Sequence, residues 1–260
     1  MRIAKTHKMI VSLVALVVIS TVLSAFLAAV SIINSPYYKS SQLIKAIEKK
    51  DHDKLETLLI DGTDPNYPES RISKLNEILE YVPRVPIKVA IKNDDLKSVE
   101  ILLKYGATVS CIDGTGWSPL RTALFQISDN TIEIVNLLLE NGADPFKNEG
   151  NCNAFYAVAS DSRENAVLLI DLLLNYCNET PISIKNKSGE TKSLATYAAR
   201  IGRNPNMVKF LLENGDCLDE SWEGESLYVW CITNGYLELA ELIIQQKNSY
   251  EKNIEFRYSY

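Results

Sequence analysis

Enzymatic or metal chemistry in this chain would have to be assembled from two histidines, five cysteines and its carboxylates. His7 lies in a short basic stretch, and His52 lies in the polar run Lys49-Lys50-Asp51-His52-Asp53. Neither offers a general base beside a Ser or Cys nucleophile, the pairing that acyl-transfer chemistry needs. No HExxH, GxSxG, phosphate-cradling P-loop or GxGxxG occurs. Cys111, Cys152, Cys177, Cys217 and Cys231 never show the CxxC spacing of a zinc site. Acidic pairs are common but have no predicted cleft around them, so they read as solvated faces. The expectation is a chain that is not an enzyme and holds no cofactor or metal, with His52 a solvated turn residue.

The N-terminal stretch is apolar. Met9 to Ile33 is 25 residues without a charge, Pro, Gly, Asn or Gln. At ~1.5 Å per residue a helix of that length covers roughly 37 Å, more than the ~30 Å hydrocarbon core of a bilayer. Signal-peptide apolar regions usually have about 7–15 residues. Length favours a transmembrane helix over 9–33, whereas Ala29-Val30-Ser31 is an acceptable small-x-small cleavage site. A retained anchor and a cleaved signal both stay open. Arg2, Lys5 and Lys8 precede the segment and no acid precedes Glu48, so residues 1–8 read as a basic cytoplasmic tail. That orientation exports the remainder, as a periplasmic domain on the inner membrane or, after cleavage, as a periplasmic protein. Residues 34–40 read as a linker.

From Asn34 onward lie all 33 acidic residues and 24 of the 27 basic ones, a formal net charge of −9. This acidic body argues against nonspecific binding to nucleic acid or anionic lipid and permits a basic protein partner.

The body repeats itself. "LLIDGTDPN" begins at Leu58, "LLKYGATVS" at Leu102, "LLENGADPF" at Leu138 and "LLENGDCLD" at Leu211, with degenerate copies at Leu173 and Ile243. The fifth residue of each copy is Gly62, Gly106, Gly142, Cys177, Gly215 and Lys247 in turn. Apolar residues at helical spacing precede each copy, so each unit is predicted to end a helix at this position. The first spacing, 44 residues against 32–38 elsewhere, implies an insertion near 67–84, where "SKLNEILEY" suits a short extra helix. Cys152 would start one helix and Cys177 end its antiparallel partner, placing them on one side and making a disulfide geometrically feasible in an oxidising compartment.

Upstream of the third copy, Asp113-Gly114-Thr115-Gly116-Trp117-Ser118-Pro119-Leu120-Arg121-Thr122-Ala123 resembles the ankyrin-repeat pattern, with Ser118 for Thr and Arg121 for His. The resemblance covers residues 41–247, about six repeats, and leaves 248–260 as a tail. It implies an all-α solenoid of paired antiparallel helices with short hairpin loops. It also implies protein binding through hairpin tips and the exposed side of first helices. Mapped onto this sequence, those positions give Trp117, Arg121, Phe125, Gln126, Tyr156, Arg200, Trp222, Glu223 and Glu225. Trp222 sits in an acidic cluster with Asp216, Asp219, Glu220, Glu223 and Glu225, which suits docking of a basic protein.

Exported ankyrin proteins of this build resemble the immunity proteins that bacteria make against their own secreted toxins, including type VI phospholipase effectors. That resemblance implies a tethered protein that binds and neutralises a toxin. An envelope adaptor and a secreted host-directed effector are the alternatives.

Overall fold

The computed structural model describes the backbone of residues 2–75, 78–111, 116–126, 128–147, 149, 153–163, 165–177, 183–185, 191–215, 221–222 and 225–258. Side chains are described for 16–69, 83–111, 116–126, 128–147, 149, 153–163, 165–177, 193–215 and 225–248. The chain divides into two compact units, Met1–Ala107 and Thr108–Tyr260.

The first unit opens with α1 (Arg2–Ile33), whose Leu16–Ile33 portion has a mean hydropathy of 2.6 and is wholly unburied. The expected linker over 34–40 is largely absent, because α2 already begins at Pro36 (Pro36–Glu48). Ser35 caps it by accepting from the Tyr38 N–H at 3.2 Å, and Pro36 suits a first turn, where its missing N–H has no partner to lose. α3 (His52–Ile60) completes the first pair, and α4 (Pro86–Lys92) with α5 (Leu96–Lys104) forms the second. Leu43, Ile44 and Ile47 of α2 are fully buried, as are Leu55 of α3, Ile87 and Ile91 of α4 and Leu102 of α5.

Between the pairs the predicted extra helix is replaced by an antiparallel hairpin, β1 (Glu69–Leu75) and β2 (Ile78–Arg84). The reason is a contact distant in sequence. Arg84 pairs with its cross-strand partner Glu69 at 3.0 Å and with Glu48 on α2 at 2.5 Å. One guanidinium thus closes the hairpin and fixes it to the first repeat, and tertiary context of this kind overrides local helix propensity.

His52 is likewise not merely solvated. Its Nε2 donates to the buried Asp95 carboxylate at 2.9 Å, and that carboxylate also accepts from the Ser98 N–H and hydroxyl. Asp95 is the N-cap of α5, so a histidine in repeat one helps fix the start of a helix in repeat two. Near the other end of these helices, Lys104 and Tyr105 both donate to Glu56. The hydrogen bond from Lys104 holds the Glu56 carboxyl below its usual pKa.

The second unit contains four further pairs among the described residues. They are α6 (Pro119–Phe125) with α7 (Thr131–Glu140), and α8 (Ala154–Ala159) with α9 (Ala166–Cys177). Then come α10 (Leu194–Tyr197) with α11 (Pro205–Glu213), and α12 (Leu227–Thr233) with α13 (Leu237–Tyr258). Two short ladders, β3 (Ser183–Lys185) with β4 (Thr191–Ser193) and β5 (Ser221–Trp222) with β6 (Glu225–Ser226), precede α10 and α12. Helices α6, α8 and α10 pack in sequence, as do α7, α9, α11 and α13.

The motif glycine ends α7 as expected. Gly142 has φ +86°, with its N–H on Leu139 O and the Ala143 N–H on Leu138 O, the paired bonds of a Schellman cap. At Lys247 no glycine stops the chain, and α13 runs on to Tyr258 through what reads in sequence as a tail. α10 continues into a single π-helical turn, Ala198–Gly202. Its last residue sits so close to α8 that a Cβ on Gly202 would lie 2.6 Å from the Ala159 carbonyl oxygen.

These two glycines predict different penalties. Gly202→Ala must push two helix ends apart and should cost about 1–3 kcal/mol. Gly142→Ala meets open space and pays only left-handed strain, about 1–2 kcal/mol. Urea unfolding of the full chain in detergent micelles measures both. Full tolerance of alanine at 202 would contradict the close approach.

Candidate partner-binding surface

Ser118 caps α6 by accepting from the Arg121 N–H at 3.2 Å, with Pro119 in the first turn. This places Trp117 just before the cap and Arg121 and Phe125 one helical turn apart on the same side. The Trp117 and Phe125 rings stack with centroids 4.8 Å apart and planes inclined at 29°. The Arg121 guanidinium carbon lies 5.1 Å from the Trp117 centroid and 5.6 Å from that of Phe125, within cation–π range.

Arg121 Nη1 also donates to the backbone carbonyl of Glu149, and the buried Glu149 carboxylate accepts from the Ser118 N–H at 2.8 Å. The start of α6 is thereby fixed by the loop leading into the next repeat. Phe125 remains 48% exposed. Three of the predicted contact residues thus form one positioned aromatic platform with a cation against it.

Gln126, half-buried, terminates α6, and its carbonyl accepts from Thr131 Oγ1 at 3.1 Å and Arg163 Nη1 at 3.2 Å. Arg163, which the sequence reading passed over, also donates to the Leu124 carbonyl at 2.8 Å and to Asp161. A cation on the last carbonyls of a helix is well placed against its dipole.

Tyr156 does not lie at the surface. It is 4% exposed and meets Tyr197 edge-on with centroids 4.7 Å apart, because α8 is covered by α6 on one side and α10 on the other. Arg200 and Glu225, expected as separate contacts, meet each other. Arg200 Nη1 lies 2.5 Å from Glu225 Oε2, and its Nη2 donates to the Glu225 carbonyl at 3.3 Å. The pair fastens β6 to the π-helical turn that closes the first helix of the preceding repeat, so both charges are engaged within the fold. Of Trp222 only the backbone is described, in β5, and Glu223 lies outside the described residues. On the last repeat, Tyr228, Val229 and Ile232 of α12 add exposed apolar surface.

Cys231 is fully buried in α12, and burial raises its thiol pKa from 9.0 to about 11. Burial, with a smaller contribution from Asp144, also raises Cys177. The expected Cys152–Cys177 disulfide is not formed in this structure, where Cys177 is a free thiol; Cys152 itself lies outside the described residues.

The ankyrin-repeat pattern matches in three overlapping stretches, residues 43–149, 87–180 and 154–255. An ankyrin repeat protein of Rickettsia bellii is 33% identical over 116 residues, 40% of this chain and 48% of that protein. An ankyrin repeat protein of Borreliella burgdorferi is 37% identical over 59 residues, 23% of this chain and 26% of its own length. The 2-5A-dependent ribonuclease of Mus musculus is 40% identical over 63 residues, 24% of this chain but 8% of the enzyme. The chain therefore spans less than half the length of each.

The buried thiol gives a pH signature. In the unfolded chain Cys231 loses its proton around pH 9, whereas in the folded chain it keeps it to about pH 11. The stability contributed by the neutral thiol is present below pH 9 and is lost as pH rises toward 11. Across that window the urea midpoint of Cys231→Ala should fall less steeply than that of the unsubstituted chain. Parallel slopes would show that this burial does not affect titration.

Proposed function

This chain belongs to the ankyrin-repeat family, and from that premise we propose that it is a membrane-tethered protein that binds and neutralises a secreted toxin, of the type VI lipase class. Ankyrin repeats form protein–protein interaction modules and are generally not catalytic. The observation that carries the reading is the fixed Trp117–Arg121–Phe125 platform in a repeat body that follows an unburied apolar helix. In this reading α1 stays in the inner membrane and the repeats meet an incoming enzyme in the periplasm, covering its active site or substrate entrance. No bond is made or broken by this chain. The formal charge of −9 from Asn34 onward favours a partner with a basic contact face and speeds its encounter.

The test is capture by the full chain in detergent, with identification of what is retained and a toxicity assay of the neighbouring gene product with and without this protein. Phe125→Ala and Trp117→Ala should each weaken the complex roughly tenfold or more, as loss of a buried aromatic anchor does. Phe125→Ala should leave the melting temperature nearly unchanged, since that ring is half exposed. A stable partner without toxicity would favour the adaptor role instead. Capture insensitive to both substitutions would remove the platform from the interface.

A further inference from the structure

Among the described residues, three exposed tyrosines of the first unit lie near the start of α2. Tyr37 is 51% exposed, Tyr38 38% and Tyr67 39%. The first two lie in the opening turn of α2. The third follows α3, and its carbonyl accepts from the Ser40 hydroxyl at 2.8 Å, which pins that loop against the start of α2.

The same turn is joined to α1 by two residues, Asn34 and Ser35. The Ser35 N–H and hydroxyl both donate to the Ile32 carbonyl, closing α1, while its oxygen accepts from the Tyr38 N–H, opening α2. One serine ends the apolar helix and starts the first repeat, with no slack between them.

The dimensions suit a bilayer boundary. The apolar run Met9–Ile33 is 25 residues. A helix of that length spans about 37 Å, enough to cross the ~30 Å hydrocarbon core and bring its last turn into the headgroup zone. Headgroup zones add about 5–7 Å on each side. Tyr37 and Tyr38 follow Ile33 by a few residues, within that zone, and Ser40, in the same turn of α2, holds the Tyr67 backbone beside them. Tyrosine concentrates at this depth in membrane proteins, its ring among the upper acyl chains and its hydroxyl hydrated.

We infer that Tyr37, Tyr38 and Tyr67 form a lipid-interface contact that seats the first repeat on the bilayer surface, so that it does not swing on a tether. The contact is aromatic and needs no anionic lipid, so a zwitterionic headgroup layer suffices to test it. The inference rests on α1 being retained as an anchor.

The experiment uses the full chain in phosphatidylcholine nanodiscs. Nitroxide labels are attached through Tyr38→Cys, Tyr67→Cys and, as a water-exposed reference, Glu213→Cys. The labelled unsubstituted chain supplies the background from native thiols. Collision with membrane-soluble oxygen, relative to collision with an aqueous nickel chelate, should be severalfold higher at 38 and 67 than at 213. Alkaline extraction of cell membranes, followed by sizing of the chain, reports separately on the anchor. A chain that resists extraction but shows equal collision ratios at all three sites overturns the seating alone. A chain that is shortened and released overturns the anchor reading, and the seating with it.

Discussion

Each helix pair in this protein is too thin to bury its own apolar face, and nearly everything else follows from that shortage. A short helix such as α8 becomes wholly buried only because α6 and α10 cover it from both sides. On α12, by contrast, Tyr228, Val229 and Ile232 remain exposed. Apolar burial drives the stacking but has no direction. The polar groups that cross from one repeat to the next fix the register. His52 reaching Asp95, Arg163 reaching the end of α6, and Asn204 donating to the Asp161 carbonyl at 3.0 Å perform the same task at successive steps within their units.

That requirement also limits what is left for a partner. Charged side chains on first helices are long enough to touch the following hairpin, and in the folded chain they do so. Arg121 and Arg200 both reach a backbone carbonyl in the loop ahead, and Arg200 finds a carboxylate there as well. Beside Arg121 the Phe125 ring stays half exposed and stacked on Trp117. In the proposed complex, selectivity would come from the shape of those fixed rings, while the net charge of the body acts at longer range.

The repeats were legible in the sequence because their signals are local. A glycine ending an apolar helical pattern, and a Ser-Pro opening the next helix, state their conformations without reference to the rest of the chain. The failures share the opposite property. Strands β1 and β2 pair where Arg84 meets Glu69 and Glu48, and no window of "SKLNEILEY" contains that information. His52 looks solvated until Asp95, more than a repeat away, is placed beside it. Tyr156, named as a contact although its size also suited semi-buried packing, proves to be packed against Tyr197. Arg200 and Glu225 were each recognisable as interface-prone, and comparing opposite charges one repeat apart would have paired them. The short corner after α1 was missed for a simpler reason. A linker was expected before the first repeat, although Ser35-Pro36 carries the cap and first-turn signals of a helix start.

The links between repeats also set how far a disturbance travels. In a linear array, stability is approximately a sum of intrinsic repeat terms and nearest-neighbour coupling terms. Arg121 and Arg163 join repeats three and four, Asn204 joins four and five, and Arg200 with Gln246 joins five and six. With every junction of the second unit coupled, opening one repeat forfeits the bonds of its neighbours, and the cooperative length approaches the whole unit. Energy gained by a ligand on repeat three would then appear as slower amide exchange in repeat six, with no displacement in between.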